Sequence, residues 1–257
     1  MEDRLNKALE HFEKEEFNSA ANEFKALIEE DPDNPYLYNN LGTIYYKLGK
    51  PDEAIESYKK ALEIDPNVQG IYQNLADIYL ANEDIAQALI ELQHAIIINP
   101  DNPGPRYHYA RVLMRDFRFD AAIDELEKVI EKAPNNTDAH YDLATAYFQM
   151  GNYDGAISEY EKVQEMVPDN ADIYYHLAVT YEANDQIDEA IKGFSKAIEL
   201  NQAHFLSYRQ LGILYTAKQE FDKAIESFEK YAKFLSSAEE KESIKAIIEK
   251  LRLSAKQ

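Results

Sequence analysis

The sequence predicts an all-α solenoid, and three features of its 257 residues carry that prediction. Ala20, Ala54, Ala88, Ala122, Ala156, Ala190 and Ala224 recur every 34 residues without a slip, and Pro32, Pro66, Pro100, Pro134 and Pro168 keep the same register. Twelve positions before each alanine the residue is small: Ala8, Gly42, Ala76, Ala110, Ala144, Ala178, Gly212. Four positions after it the residue is large and apolar: Phe24, Tyr58, Leu92, Leu126, Tyr160, Phe194, Phe228. A period of this length, held without insertions, marks stacked units that bury their apolar faces only against one another.

The first unit, residues 1–34, is degenerate. Lys7 and His11 stand where its first helix wants apolar side chains, which weakens the expected pairing of its helices. Six further units are expected to start near 35, 69, 103, 137, 171 and 205 and to end at 236. In the unit from Pro35 to Val68, Tyr38, Leu41, Gly42 and Tyr45 form one stripe of an amphipathic helix. Leu48-Gly49-Lys50-Pro51 breaks it, Gly ending the helix and Pro preventing its continuation. Asp52 is expected to cap a second helix, with Glu53 near the positive end of its dipole. Ala54, Ile55, Tyr58, Ala61 and Leu62 form that helix's stripe, and Asp65-Pro66-Asn67 stops it. Gly104, between Pro103 and Pro105, reads as a helix-start turn. Gln202 and Ser236 replace the stopping proline in the last two units, so those second helices are expected to run on. Residues 237–257 hold a capping helix, roughly 238–254, and a tail. Ser237-Ala238-Glu239-Glu240 reads as a capping box, and Ile244, Ile247, Ile248 and Leu251 form the stripe that closes the array.

These columns resemble the tetratricopeptide repeat family over essentially the whole chain. The family's pattern of Trp/Leu, Leu, Gly/Ala, Tyr, Ala, Phe/Tyr, Ala and Pro falls here on Tyr38, Leu41, Gly42, Tyr45, Ala54, Tyr58, Ala61 and Pro66. It falls again on Tyr72, Leu75, Ala76, Tyr79, Ala88, Leu92, Ala95 and Pro100. The resemblance implies a right-handed α-solenoid of helix-turn-helix units whose first helices line a concave, protein-binding groove.

Composition limits what such a groove receives. The net charge of −21 repels nucleic acid and anionic membrane surfaces alike. The chain has no Cys, so disulfides, thiolate nucleophiles and sulfur-ligated metals are out. No apolar leader and no run of eighteen apolar residues is visible, so neither a signal peptide nor a membrane span is expected, and a cytoplasmic protein is. Nor is a cofactor, a metal or an enzyme expected. His108 and His176 share a helix phase but lie two repeats apart, too far for one ion, and His11, His94, His140 and His204 lie at other phases. No metalloprotease, phosphate-loop or nucleophile-elbow motif occurs.

The family's groove stripe falls at positions 2, 5, 6, 9, 12 and 13 of each unit, the face opposite the packing stripe. Position six reads Asn6, Asn40, Asn74, His108, Asp142, His176, Gln210, all hydrogen-bonding and none a long charged side chain. Amides there both donate to and accept from an extended peptide. The column is similar to the asparagine ladder of O-linked N-acetylglucosamine transferases, though only its first three members match by residue type. Open solvation of the groove explains the column equally well. Position five carries Tyr107, Tyr141 and Tyr175 in succession, and position twelve adds Phe148 among other large residues, half of them expected to pack between helices. Position nine contributes Asp77 and Thr145. Arg111 and Arg115 lie one turn apart on the same stripe, where they meet either a ligand anion or internal acids such as Asp77 and Asp142. The lysine–asparagine–arginine clamp with which some family members hold a chaperone's C-terminal carboxylate is absent. The expected function is therefore an adaptor that binds an extended peptide of another protein, as a monomer or weak homo-oligomer. A self-assembling scaffold, docking its first unit through Leu5, Leu9 and Phe12, is the alternative.

Overall fold

Fifteen α-helices and no strand make up the computed structural model among the described residues, 2–256. Met1 and Gln257, the outermost residues of the expected first unit and tail, lie outside them. The chain divides into two compact halves, Met1–Pro134 and Asn135–Gln257. The N-terminal half holds α1 (Glu2–Glu13), α2 (Phe17–Glu30), α3 (Pro35–Lys47), α4 (Pro51–Ile64), α5 (Gln69–Ala81), α6 (Ile85–Ile98), α7 (Pro103–Arg115) and α8 (Phe119–Lys132). The C-terminal half holds α9 (Thr137–Gln149), α10 (Tyr153–Met166), α11 (Ala171–Ala183), α12 (Ile187–Leu200), α13 (Phe205–Ala217), α14 (Phe221–Ala232) and α15 (Ala238–Ser254). Within each half every helix packs on the next, so the fold is an all-α solenoid of helix pairs closed by α15. No helix among the described residues is long and apolar enough to cross a membrane.

The repeated columns are the core. All seven alanines of the 34-residue series are fully buried, as are or nearly so Phe24, Tyr58, Leu92, Leu126, Tyr160, Phe194 and Phe228. Each such large side chain contributes roughly 1.5–3 kcal/mol on burial. The small residue opposite is a steric requirement. A Cβ on Gly42 would meet the Tyr58 ring at 2.7 Å, so the ring lies directly over that glycine. Four of the six later first helices begin behind a capping asparagine, Asn34, Asn102, Asn136 or Asn170, whose side-chain oxygen accepts from a backbone N–H one turn in.

The turns inside each pair carry a second regularity. At Glu15, Gly49, Glu83, Phe117, Gly151, Asp185 and Gln219 the backbone is left-handed, with φ between 58° and 76°. In each, that residue's N–H and the next one's reach back to the end of the first helix, as in Phe117 N to Met114 O (3.0 Å) and Arg118 N to Leu113 O (2.9 Å). Glycine adopts this conformation freely, whereas an L side chain there costs about 1 kcal/mol. Five of the seven turns carry that cost.

Several expectations need correction. Asp52 does not cap α4, which starts at Pro51 behind Lys50 and has Asp52 in its first turn. Proline's fixed φ suits the first helical position, so Pro51 opens the second helix rather than merely ending the first. The helices before Gln202 and Ser236 do not run on. Asn201 caps α12, and its side chain accepts from Ala203 N at 3.0 Å, while α14 ends at Ala232. In α15, Ile248 and Leu251 are buried against Ala224 and Phe228, but Ile247 is exposed. The first pair forms despite its polar residues. Lys7 Nζ meets Glu23 Oε1 at 2.6 Å and His11 pairs with Glu16, around a buried Ala8 and Phe24. Leu5 and Phe12 pack partly against that core, which leaves Leu9 as the exposed member of the trio proposed for self-docking.

Candidate functional site

In the N-terminal half, the first-helix stripe carries Asn40, Asn74 and His108, all half-buried, from α3, α5 and α7. Asn74 Nδ2 donates a long bond of 3.4 Å to Asn39 Oδ1, the position-five residue of the preceding repeat. Asn39's carbonyl accepts from Thr43 Oγ1 at 3.1 Å, and that hydroxyl shares a 3.0 Å bond with Tyr58 OH. The amide column is thus tied to the core ring beneath it. Burial pushes the Tyr58 phenol up, with Thr43 and Asn74 opposing.

His108 Nε2 lies 3.5 Å from Asp77 Oδ1. Burial lowers the imidazole's pKa, Asp77 opposes this and the Arg111 charge adds to it, so the ring is neutral at pH 7. The Arg111 guanidinium lies over the Tyr107 ring, 5.8 Å from its centroid. Arg115 is exposed in the last turn of α7, where a cation suits the helix dipole. Arg106 is taken by Glu125 on α8. That pairing joins repeat positions 4 and 23, which are paired again as Arg4 with Glu23 (3.9 Å) and as His140 with Glu159 (2.5 Å). The recurrent cross-helix pairing explains one of the four clustered arginines without a ligand.

In the C-terminal half the stripe takes a different form. Tyr141, Thr145, Phe148 and His176 line a hollow of about 180 Å³ with Tyr160 and Thr180. Tyr141 stands edge-on to both Tyr160 and His176, with ring centroids 5.6 Å apart in each case. His176 stacks on Tyr160 at 6.1 Å and 17°. Thr145 Oγ1 donates to Tyr141 O at 3.0 Å and shares a 3.0 Å bond with Tyr160 OH. Burial lowers the His176 pKa and pushes Tyr160 up to about 12, so both rings are neutral at pH 7. The arrangement offers aromatic faces and neutral hydrogen-bonding groups, suited to a side chain or backbone segment and not to a small ion.

The expected tyrosine strip therefore divides. Tyr141 faces the hollow, whereas Tyr175 packs on Phe194 (5.6 Å) and His204 (5.0 Å). Phe148 turns toward Tyr153 at 5.5 Å. Burial pushes the Tyr141 phenol up, and the charge of Asp142, half-buried on α9, adds to it. In sequence Tyr160 reads as a packing residue, and Thr180 lies outside every column that the repeat or the groove stripe singles out. The signal for Tyr160 was present: a tyrosine at position 24 occurs only in the two repeats with Thr at position nine, Thr43 with Tyr58 and Thr145 with Tyr160. Among the described residues no cluster of His, Asp or Glu is arranged to hold a metal ion.

Four family models match the chain. Two described as tetratricopeptide repeat cover residues 35–68 and 148–212, one described as TPR repeat covers 8–49, and the cytochrome c-type biogenesis protein H TPR domain covers 72–174. Curated proteins give no match. Among solved structures, MamA is 30% identical over 63% of this chain and 95% of its own, with a TM-score of 0.59. YrrB, described as a TPR protein with an unusual peptide-binding site, is 25% identical over 73% of this chain and 96% of its own, with a TM-score of 0.64. The C-terminal part of a TPR repeat-containing protein from Cytophaga hutchinsonii shares the fold over 93% of this chain and 98% of its own. Its TM-score is 0.81 at 19% identity.

Proposed function

The chain belongs to the tetratricopeptide repeat family, and from that premise we propose that it is a protein-interaction scaffold whose first helices bind an extended peptide or flexible tail. The observation that carries this reading is the position-six column of the N-terminal half. Asn40, Asn74 and His108 are half-exposed polar side chains at one position of successive first helices. First helices stacked about 8–10 Å apart present one such rung for every two to three residues of an extended chain. A side-chain amide both donates and accepts, as a peptide backbone requires. Tyr107, Arg111 and Arg115 flank these rungs, with Asp77 beside His108, and supply an aromatic face and positive charge in an acidic chain. In the C-terminal half, the hollow of Tyr141, Thr145, Phe148 and His176 takes a side chain of a bound segment, and Asp142 and Tyr175, outside the hollow's lining, are further contacts on the same two helices. The likeness to YrrB supports a peptide as the ligand class.

Affinity capture with the wild type and with an Asn40→Ala/Asn74→Ala double variant, read by mass spectrometry, tests this. Partners lost from the double variant support the reading, and an unchanged partner set overturns it. Light scattering at high concentration separates the self-docking alternative, which requires a species heavier than the 29.6 kDa chain.

A further inference from the structure

The α7–α8 turn departs from its six counterparts in one respect. Its left-handed residue is an aromatic, Phe117, where the other turns have Gly, Glu, Asp or Gln. Of the large apolar side chains described, Phe117 is the most exposed, at 81%. Phe119 stands edge-on to it at 6.2 Å, so the two rings form a small apolar ledge. Arg115 and Arg118 bracket Phe117 in sequence, and both are exposed. Neither has a carboxylate within 4.0 Å among the described residues, in a chain with 48 acidic and 27 basic residues. Arg118 is the N-cap residue of α8, but its side chain makes no cap hydrogen bond. The turn's backbone needs none of these side chains, because its two hydrogen bonds come from main-chain groups alone. A bulky residue held at positive φ, with its ring in water, gains nothing for the fold.

We propose that the Phe117 turn is a second docking point, adjoining the first-helix surface at Arg115, for a short acidic peptide segment carrying an apolar side chain. The apolar group would seat on the Phe117–Phe119 ledge, and its flanking carboxylates would meet Arg115 and Arg118. Charge selects the occupant. A polyanion such as nucleic acid, or an anionic bilayer, brings enough negative charge to be repelled by the chain's net −21. A short peptide brings a few carboxylates to a turn where two exposed cations flank an exposed aromatic ring, and the repulsion beyond a Debye length is screened.

The probe is a fluorescein-labelled synthetic peptide with a central Leu-Phe flanked by Glu and Asp, titrated with the full chain and followed by fluorescence anisotropy. Phe117→Asn keeps the turn, since asparagine tolerates the left-handed region. Its melting temperature is expected to hold or rise while affinity for the probe falls at least about tenfold. Arg118→Glu is expected to weaken binding by a similar factor and to flatten its dependence on salt. Equal affinity of wild type and Phe117→Asn overturns the proposal, as does absence of saturable binding by the wild type. Tighter binding of a single-stranded oligonucleotide or of phosphatidylserine vesicles than of the peptide overturns it as well.

Discussion

The same helix position does different things in the two halves of the chain. At positions five and six, the N-terminal half presents the amides of Asn39, Asn40 and Asn74, with Asn74 bonded to Asn39 and the Asn39 carbonyl joined through Thr43 to a core tyrosine. The C-terminal half presents Tyr141 and His176, whose rings enclose a hollow with Tyr160. Beneath both lies one frame of buried alanines and large apolar residues at fixed offsets. The frame depends on positions 8, 20 and 24, so positions five and six are free to vary without loss of fold. This separation of duties is what a repeat architecture permits, because each pair needs only its neighbours.

The frame is the first place to try to break that comparison. Phe24→Ala in one half and Phe194→Ala in the other are each expected to cost about 3–5 kcal/mol in denaturant unfolding. A half that tolerated its substitution would show that the frame is not shared. Next is Gly42→Ala, which drives a methyl group into the Tyr58 ring and is expected to cost about 1–3 kcal/mol. Adding Tyr58→Leu should recover part of that loss, since Ala76 with Leu92 already makes this combination in the following repeat. A smaller effect distinguishes the aromatic hollow. His176 is held below its ordinary pKa, so the folded state binds its proton less readily than the unfolded chain does. Its contribution is complete above the unfolded value near 6.5 and is lost as pH falls through that value toward the folded one. Stability should therefore decline as pH falls below about 6.5, by less in a His176→Gln variant, in urea titrations at each pH. Last comes Asn74→Ala, expected to change stability by about 0.5 kcal/mol or less while weakening peptide binding. A large loss of stability there would make the amide column part of the frame.

The sequence read alone located the helix pairs and the closing helix, because Ala20 to Ala224 and their partners are under the strictest packing demands and leave a period that nothing interrupts. It read the surface less well. The tyrosines at position five look alike in sequence, yet Tyr141 packs on Tyr160 and Tyr175 on Phe194 and His204, with His176 against both. What a half-buried ring faces depends on residues one helix away, outside any single column. The clustered arginines likewise divided. Arg106 belongs to a cross-helix pairing with Glu125 that a one-helix pattern does not reveal, and Phe117 drew no notice because a turn position without glycine looks ordinary in sequence.

Those turns hold a reserve that leaves both faces untouched. Glu15, Glu83, Asp185 and Gln219 keep a left-handed backbone that glycine adopts without penalty, and no two of them share a hydrogen-bond partner. Replacing each by glycine should stabilise the chain by independent increments of about 0.5–1 kcal/mol apiece, summing across sites and read as a rise in melting temperature in calorimetry. The working temperature of the array could thus be tuned at its hairpin tips, with Phe117 the one tip where the exchange would remove more than strain.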